Sequence, residues 1–123
     1  MSHSFVWVDI PVLDLDRAIL FYSAVLANKV TKEGGPGFAF GLLAHSGADV
    51  AGCLIAPGAD NAPSVRGPLV YLNTTGRLTE ALAAVVAHGG RIVEPTHEIG
   101  AHGQRAIVLD SEGNRVALHS STA

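Results

Sequence analysis

The side chains of this sequence best equipped for chemistry lie towards its two ends. Asp9 stands inside an apolar run, between Val8 and Ile10. A carboxylate there is costly to bury without a partner. It serves either as a general base or as half of a structural ion pair, with Arg115 or a histidine as the available cation. Structural pairing is the commoner use of such a residue, and it is the favoured reading. His97, His102 and His119 form a second group. Their spacing does not match the two-histidine motifs of helices or fingers, and His97 and His102 fall in a loop. Each reads first as a satisfied or solvent-exposed histidine, with His102 and His119 placed to bind or protonate a ligand at a pocket rim. His3, His45 and His88 read as surface residues. Cys53 is the only cysteine and sits in an apolar run, which suits a buried, inert thiol. The serines sit at the termini and in loops without an elbow motif, so no Ser-His-Asp arrangement is supported.

The elements that must position these residues repeat. A short apolar strand runs into an amphipathic helix from Val6 to Leu26, and again from Leu69 to Ala87. Leu15, Ala18, Ile19 and Tyr22 correspond to Leu78, Ala81, Leu82 and Val85 at an offset of about 63 residues. Asp14 is the expected N-cap of the first helix, with Ala18, Phe21, Tyr22, Val25 and Leu26 as its buried stripe. Gly34-Gly35-Pro36-Gly37 reads as a turn cluster and not a phosphate loop, because no Lys-Ser or Lys-Thr follows it. Phe38–Leu43 and Val50–Ala56 read as strands. Residues 57–68, rich in Pro, Gly, Ala and Asn, read as a linker. In the second half Arg91–Val93 is a short strand and Pro95–Gly103 a loop. Arg105–Leu109 and Arg115–His119 are strands joined by the turn Asp110-Ser111-Glu112-Gly113-Asn114. The expected order is β-α-β-β-β, twice. One domain spans 1–123, with module one at about 5–56 and module two at about 69–120.

Composition narrows the class. The 123 residues are 48% apolar and 15% charged, which describes a globular chain. The formal net charge is −3, and the eight Lys and Arg are scattered, so no basic stripe exists for nucleic acid. The N-terminal residues lack the pattern of a signal peptide and no apolar run is long enough for a membrane span, so a cytoplasmic location is expected. The low charge content points to apolar surface covered by a second copy of the chain.

Several stretches together resemble the vicinal oxygen chelate superfamily, which includes glyoxalase I, bleomycin-resistance proteins and extradiol dioxygenases. They are Pro11 to Ala18 with Phe21-Tyr22 and Val25-Leu26, then Leu69 to Asn73, Ala87 to Ile92 and Leu109 to Ser120. The ending Gly113-Asn114-Arg115-Val116-Ala117-Leu118-His119-Ser120 is most similar to the glyoxalase-like branch. The resemblance implies an α+β fold of two βαβββ modules whose mixed sheets form a cup, with the helices outside. A ferredoxin-like domain is the alternative fold. The resemblance also implies homodimerisation and, in many members, a divalent metal held by His, Gln or Glu. The matching positions in this chain are Trp7, Leu69 (Val70 without a gap), Ala117 and the Ala51–Gly52 step. None offers a lone pair to a metal, so no metal and no other cofactor is expected.

Strand alternation predicts the side chains lining the cup. These are Trp7 and Asp9 from module one, and Leu69, Tyr71, Asn73, Arg115, Ala117 and His119 from module two. Trp7 and Tyr71 suit a pocket wall or structural packing equally. The expected ligand-binding set is Trp7, Asp9, Tyr71, Asn73, His102, Arg115 and His119, with Asp9 and His119 as catalytic candidates. The expected function is binding of a small organic molecule, as in bleomycin-resistance proteins. The alternative is an enzyme of the superfamily, using Asp9 and His119 or a relocated metal.

Overall fold

Two βαβββ modules follow one another in the computed structural model, which describes residues 4–47 and 50–121. His3 lies outside the described residues. Module one comprises β1 (Trp7–Pro11), α1 (Leu15–Leu26), β2 (Thr31–Gly35), β3 (Phe38–Leu42) and β4 (Ala51–Ile55). Its sheet runs β1-β4-β3-β2, with β1 parallel to β4 and the other pairs antiparallel. Module two comprises β5 (Val70–Asn73), α2 (Leu78–Ala87), β6 (Arg91–Glu98), β7 (Gln104–Leu109) and β8 (Arg115–Ser120), in the matching order β5-β8-β7-β6. Parallel pairing of the first and last strands requires a crossover, and the helix supplies it in each module. No helix among the described residues is long and apolar enough to cross a membrane.

Two elements differ from the sequence reading. The strand following α1 lies at Thr31–Gly35 and takes in half of the Gly34–Gly37 turn cluster. Gly35 pairs with Phe38, so Pro36 and Gly37 alone make the hairpin turn. Every residue of β2 is exposed at the sheet edge, so it carries no apolar alternation to betray it. The strand expected at Arg91–Val93 continues to Glu98 as β6, which places His97 on a strand and not in a loop. Pro95 is tolerated because β6 is an edge strand and its register shifts between Glu94 and His97.

The helices follow from local chemistry. Asp14 caps α1, its Oδ1 accepting from the Arg17 amide at 3.1 Å. Ala18, Phe21, Tyr22 and Val25 of α1, and Leu78, Ala81 and Val85 of α2, are buried. The two helices pack on each other, and one core runs through both modules, joining Phe21, Tyr22 and Val25 to Val85, Val108 and Leu118. The approach is close: a Cβ on Gly90 would stand 2.7 Å from Phe21 Cε2 and 2.5 Å from the Leu109 carbonyl. Helices therefore occupy one face of each sheet, and among the described residues no helix covers the opposite faces.

The turn between β7 and β8 locks the modules together. Asp110 Oδ2 accepts from the buried Tyr22 hydroxyl at 2.5 Å and from Asn114 Nδ2 at 3.0 Å. Its Oδ1 accepts from the amides of Glu112 and Asn114. Asn114 Nδ2 also donates to the Pro11 carbonyl at 2.8 Å. Glu112 Oε1 accepts from the amides of Leu13 and Asp14, both at 2.8 Å, and its carboxylate takes both Nε and Nη2 of Arg17. Burial alone would push the Glu112 carboxyl up. The Arg17 guanidinium and the amide donors outweigh it and hold the group at about 2. Burial, then the Asp110 carboxylate, pushes the Tyr22 phenol well above its ordinary value.

Candidate functional site

Strand register sorts the candidate residues onto two separate faces. In module one, Trp7 and Asp9 stand beside Ala51 and Cys53 across the β1/β4 pair, and Leu42 lies opposite Cys53 on β3. Phe38 and Phe40 stack with centroids 6.5 Å apart further along β3. Trp7 Nε1 donates to Asp9 Oδ1 at 2.8 Å, and the Cys53 thiol donates to the same oxygen at 3.3 Å. Asp9 therefore has neutral donors and not the expected cation. Arg115 instead donates from Nε to the Val65 carbonyl at 2.9 Å. The pairing fails because β1 and β8 belong to different sheets. Burial, followed by the Asp9 hydrogen bond and charge, pushes the Cys53 thiol up to about 11. At neutral pH it is a neutral, buried thiol and a poor nucleophile.

In module two, one row of polar side chains crosses the whole sheet. Asn73 pairs with His119, His119 with Arg105, and Arg105 with His97, on β5, β8, β7 and β6 in turn. Directly opposed residues share a face at close range. Arg105 Nε donates to His97 Nε2 at 2.9 Å, while His97 Nδ1 lies 2.9 Å from the Pro95 carbonyl. A carbonyl only accepts, so Nδ1 carries the hydrogen and Nε2 offers its lone pair to Arg105. Glu94 Oε1 lies 4.0 Å from the same Nε2. Arg105 Nη1 donates to the Tyr71 hydroxyl, and its guanidinium lies 5.8 Å from the Tyr71 ring centroid. His119 Nε2 donates to the His102 carbonyl at 2.6 Å.

On this face an open cavity of about 490 Å³ is lined by Tyr71, Ile99, His102, Arg105 and His119. A one-turn 3₁₀ helix, Gly100–His102, carries its outer wall. A second hollow of about 420 Å³ lies between β1 and β5, where Val8, Ile10, Val70 and Leu72 face residues of α1 and β4, and Tyr71 borders it too. Of the expected set, Tyr71, His102 and His119 come together. Asn73 belongs to the polar row but borders the second hollow, and its Oδ1 accepts from the Thr75 amide. Trp7, Asp9 and Arg115 line neither space. Arg105 is the residue the sequence reading missed. The available signal was alternation along β7, where Arg105 shares a face with Ile107 against Ala106 and Val108.

The positions implied for a divalent metal can be tested on the same registers. Trp7 pairs with Ala51, and Ala117 pairs with Tyr71. Methyl groups and an indole N–H supply no lone pair, so the residues present do not fit a metal there. Among the described residues, no three His, Cys, Asp or Glu converge elsewhere in a way that could hold one.

The Glyoxalase/Bleomycin resistance protein/Dioxygenase superfamily model matches residues 4–118. A comparison with curated proteins gave no match. Solved structures share the fold. A glyoxalase/bleomycin resistance protein from Albidiferax ferrireducens T118 superposes with a TM-score of 0.77 at 18% identity, covering 98% of this chain and 100% of that one. TnmS3, an antibiotic binding protein from Streptomyces sp. CB03234, gives 0.72 at 22%, covering 99% of each. A mutant of the fosfomycin resistance protein FosX from Listeria monocytogenes, complexed with Mn(II) and 1S,2S-dihydroxypropylphosphonic acid, gives 0.68 at 14%, covering 99% and 93%.

Proposed function

The chain belongs to the Glyoxalase/Bleomycin resistance protein/Dioxygenase superfamily, and from that premise we propose that it binds a small organic molecule on the strand face of module two, in a cup closed by a second copy of the chain and without a divalent metal. The observation that carries this reading is the cavity of about 490 Å³ between Tyr71, Ile99, His102, Arg105 and His119. Its size, its apolar walls and its few convergent polar groups are those of a small-molecule site. The absence of donors at Trp7, Ala51, Leu69 and Ala117 supports binding without a metal. The antibiotic binding neighbour supports the functional class.

The second copy is argued from surface. Trp7, Phe38 and Tyr71 are 47%, 63% and 45% exposed on strand faces that no helix covers. Exposed aromatic side chains on such faces suit a contact with a second copy. Setting module one of one copy against module two of the next unites the residues that a single chain keeps apart.

A catalytic reading, as a lyase, isomerase or dioxygenase-type enzyme, has one observation in its favour. His119 commits Nε2 to the His102 carbonyl and leaves Nδ1 for proton transfer. Asp9 would join it only across a dimer, or a metal would sit at a relocated site. The tests separate these readings. Light scattering is expected to give a dimer mass, and a monomer at micromolar concentration would remove the shared cup. Elemental analysis is expected to find no stoichiometric Zn, Ni, Mn or Fe. A thermal-shift screen of metabolites and aromatic drugs is expected to give hits that raise the melting temperature. Turnover of a hit, abolished by Asp9→Asn with binding intact, would replace the binding reading with the catalytic one.

A further inference from the structure

Arg105 is a half-buried cation with no anion among its protein partners. Among the described residues no carboxylate lies within ion-pair distance of it. A guanidinium carries five N–H donors in a planar fork. Two are engaged, one by the lone pair of His97 and one by the Tyr71 hydroxyl. Neither brings the negative charge that normally accompanies a cation removed from water. The supporting bonds do something else: they fix the plane of the fork. His97 is itself fixed by Pro95, so Nε is held on the β6 side. Tyr71 holds Nη1 on the β5 side, and the Nη2 edge keeps its donors.

The neighbours extend this arrangement. The Tyr71 oxygen accepts from Arg105, so its own hydrogen is free to donate to the same bound atom. His119 stands opposite Arg105 in register, with Nε2 committed to the His102 carbonyl. The rest of the wall is apolar or aromatic: Ile99 and the Tyr71 ring, itself 6.2 Å from the His119 ring between centroids. Resting on the reading that this cavity is a ligand site, we infer that the ligand is an organic anion: a carboxylate seated on Arg105 and Tyr71, attached to a planar apolar body that packs on Tyr71 and Ile99. A neutral or cationic ligand would leave the guanidinium without counter-charge among the described residues of its own chain.

Matched probe pairs test this by calorimetry: benzoate against benzamide, salicylate against salicylamide, and 1-naphthoate against 1-naphthamide. The carboxylate member is expected to bind about 10-fold or more tightly than its amide, the margin of a charge-assisted, two-point contact over a neutral one. In Arg105→Gln that margin is expected to vanish, with the amide affinity little changed. Tyr71→Phe, which keeps the ring and removes one hydroxyl, guards against misfolding of the first variant and is expected to narrow the margin several-fold. Equal binding of acid and amide, unaffected by Arg105→Gln, overturns anion recognition and leaves small-molecule binding standing. No binding of either member of any pair also overturns it, and small-molecule binding then stands or falls on the wider screen.

Discussion

The turn between β7 and β8 reaches out of its own module, whereas the matching connection of module one stays local. Asp110, Glu112 and Asn114 contact Tyr22, Pro11, Leu13, Asp14 and Arg17 of module one. Among the described residues between β3 and β4, the one side-chain hydrogen bond is His45 Nδ1 with the Leu43 carbonyl, two residues away. The strand faces diverge in the same manner. Module one closes its carboxylate with Trp7 and Cys53, while module two leaves a guanidinium with spare donors. Duplication has kept the helix stripes and sheet order, which any copy needs to pack. The polar side chains have been assigned afresh, the locking set to one turn and the Tyr71, Arg105 and His119 set to one strand face.

Breaking the lock gives the largest expected effect. Asp110→Ala orphans the Tyr22 hydroxyl and two backbone amides in the core. Removing one partner from such a buried network costs about 3–5 kcal/mol, which the urea midpoint will register. His45→Ala, at the corresponding connection, is expected to change stability by less than about 0.5 kcal/mol. Equal losses at the two sites would mean that the modules are locked symmetrically.

Glu112 sharpens the same contrast through pH. Its carboxyl is held at about 2, against an ordinary value of 4.5. A carboxyl with a depressed folded-state value binds its proton more readily in the unfolded chain. Its stabilisation is therefore complete above about pH 4.5 and is lost as pH falls from there towards 2. Arg17 is half exposed, so the ion pair itself is screened. The amides of Leu13 and Asp14 are the larger stake. Glu112→Gln is expected to lose about 1–3 kcal/mol at neutral pH and to flatten the acid limb of the stability curve. An unchanged acid limb would place that titration elsewhere.

What the sequence made legible follows the range of the interactions. The helix stripes and the Asp14 cap were readable because they depend on neighbours three and four residues away. β2 was not readable, since an exposed edge strand of Thr, Lys, Glu and Gly has no face to bury. The Asp9–Arg115 pairing was mistaken because alternation tells which face a residue takes, but not which sheet it joins. Arg105 was overlooked for a related reason. The row Asn73–His119–Arg105–His97 is created by registers spanning four strands, and no spacing along the chain announces it.

The helix ends carry the smallest of these differences between the modules. After α2 the chain turns through Gly89, at φ 91°, where a glycine carries no penalty. After α1 it turns through Ala27, at φ 50° and ψ 41°, the one non-glycine residue with positive φ among those described. The left-handed bend is needed, because it lets the Ala27 and Asn28 amides return to the carbonyls of Ala24 and Ser23. A Cβ in that conformation costs about 1–2 kcal/mol, while glycine adds about 0.5–1 kcal/mol of unfolded-state entropy. Ala27 is exposed, so its methyl group gives up no packing. Ala27→Gly is therefore expected to stabilise the chain by about 0.5–1 kcal/mol, read as a higher urea midpoint at constant slope. A lower midpoint would show that the first helix has adapted to alanine, and that the two ends differ by more than the loss of one glycine.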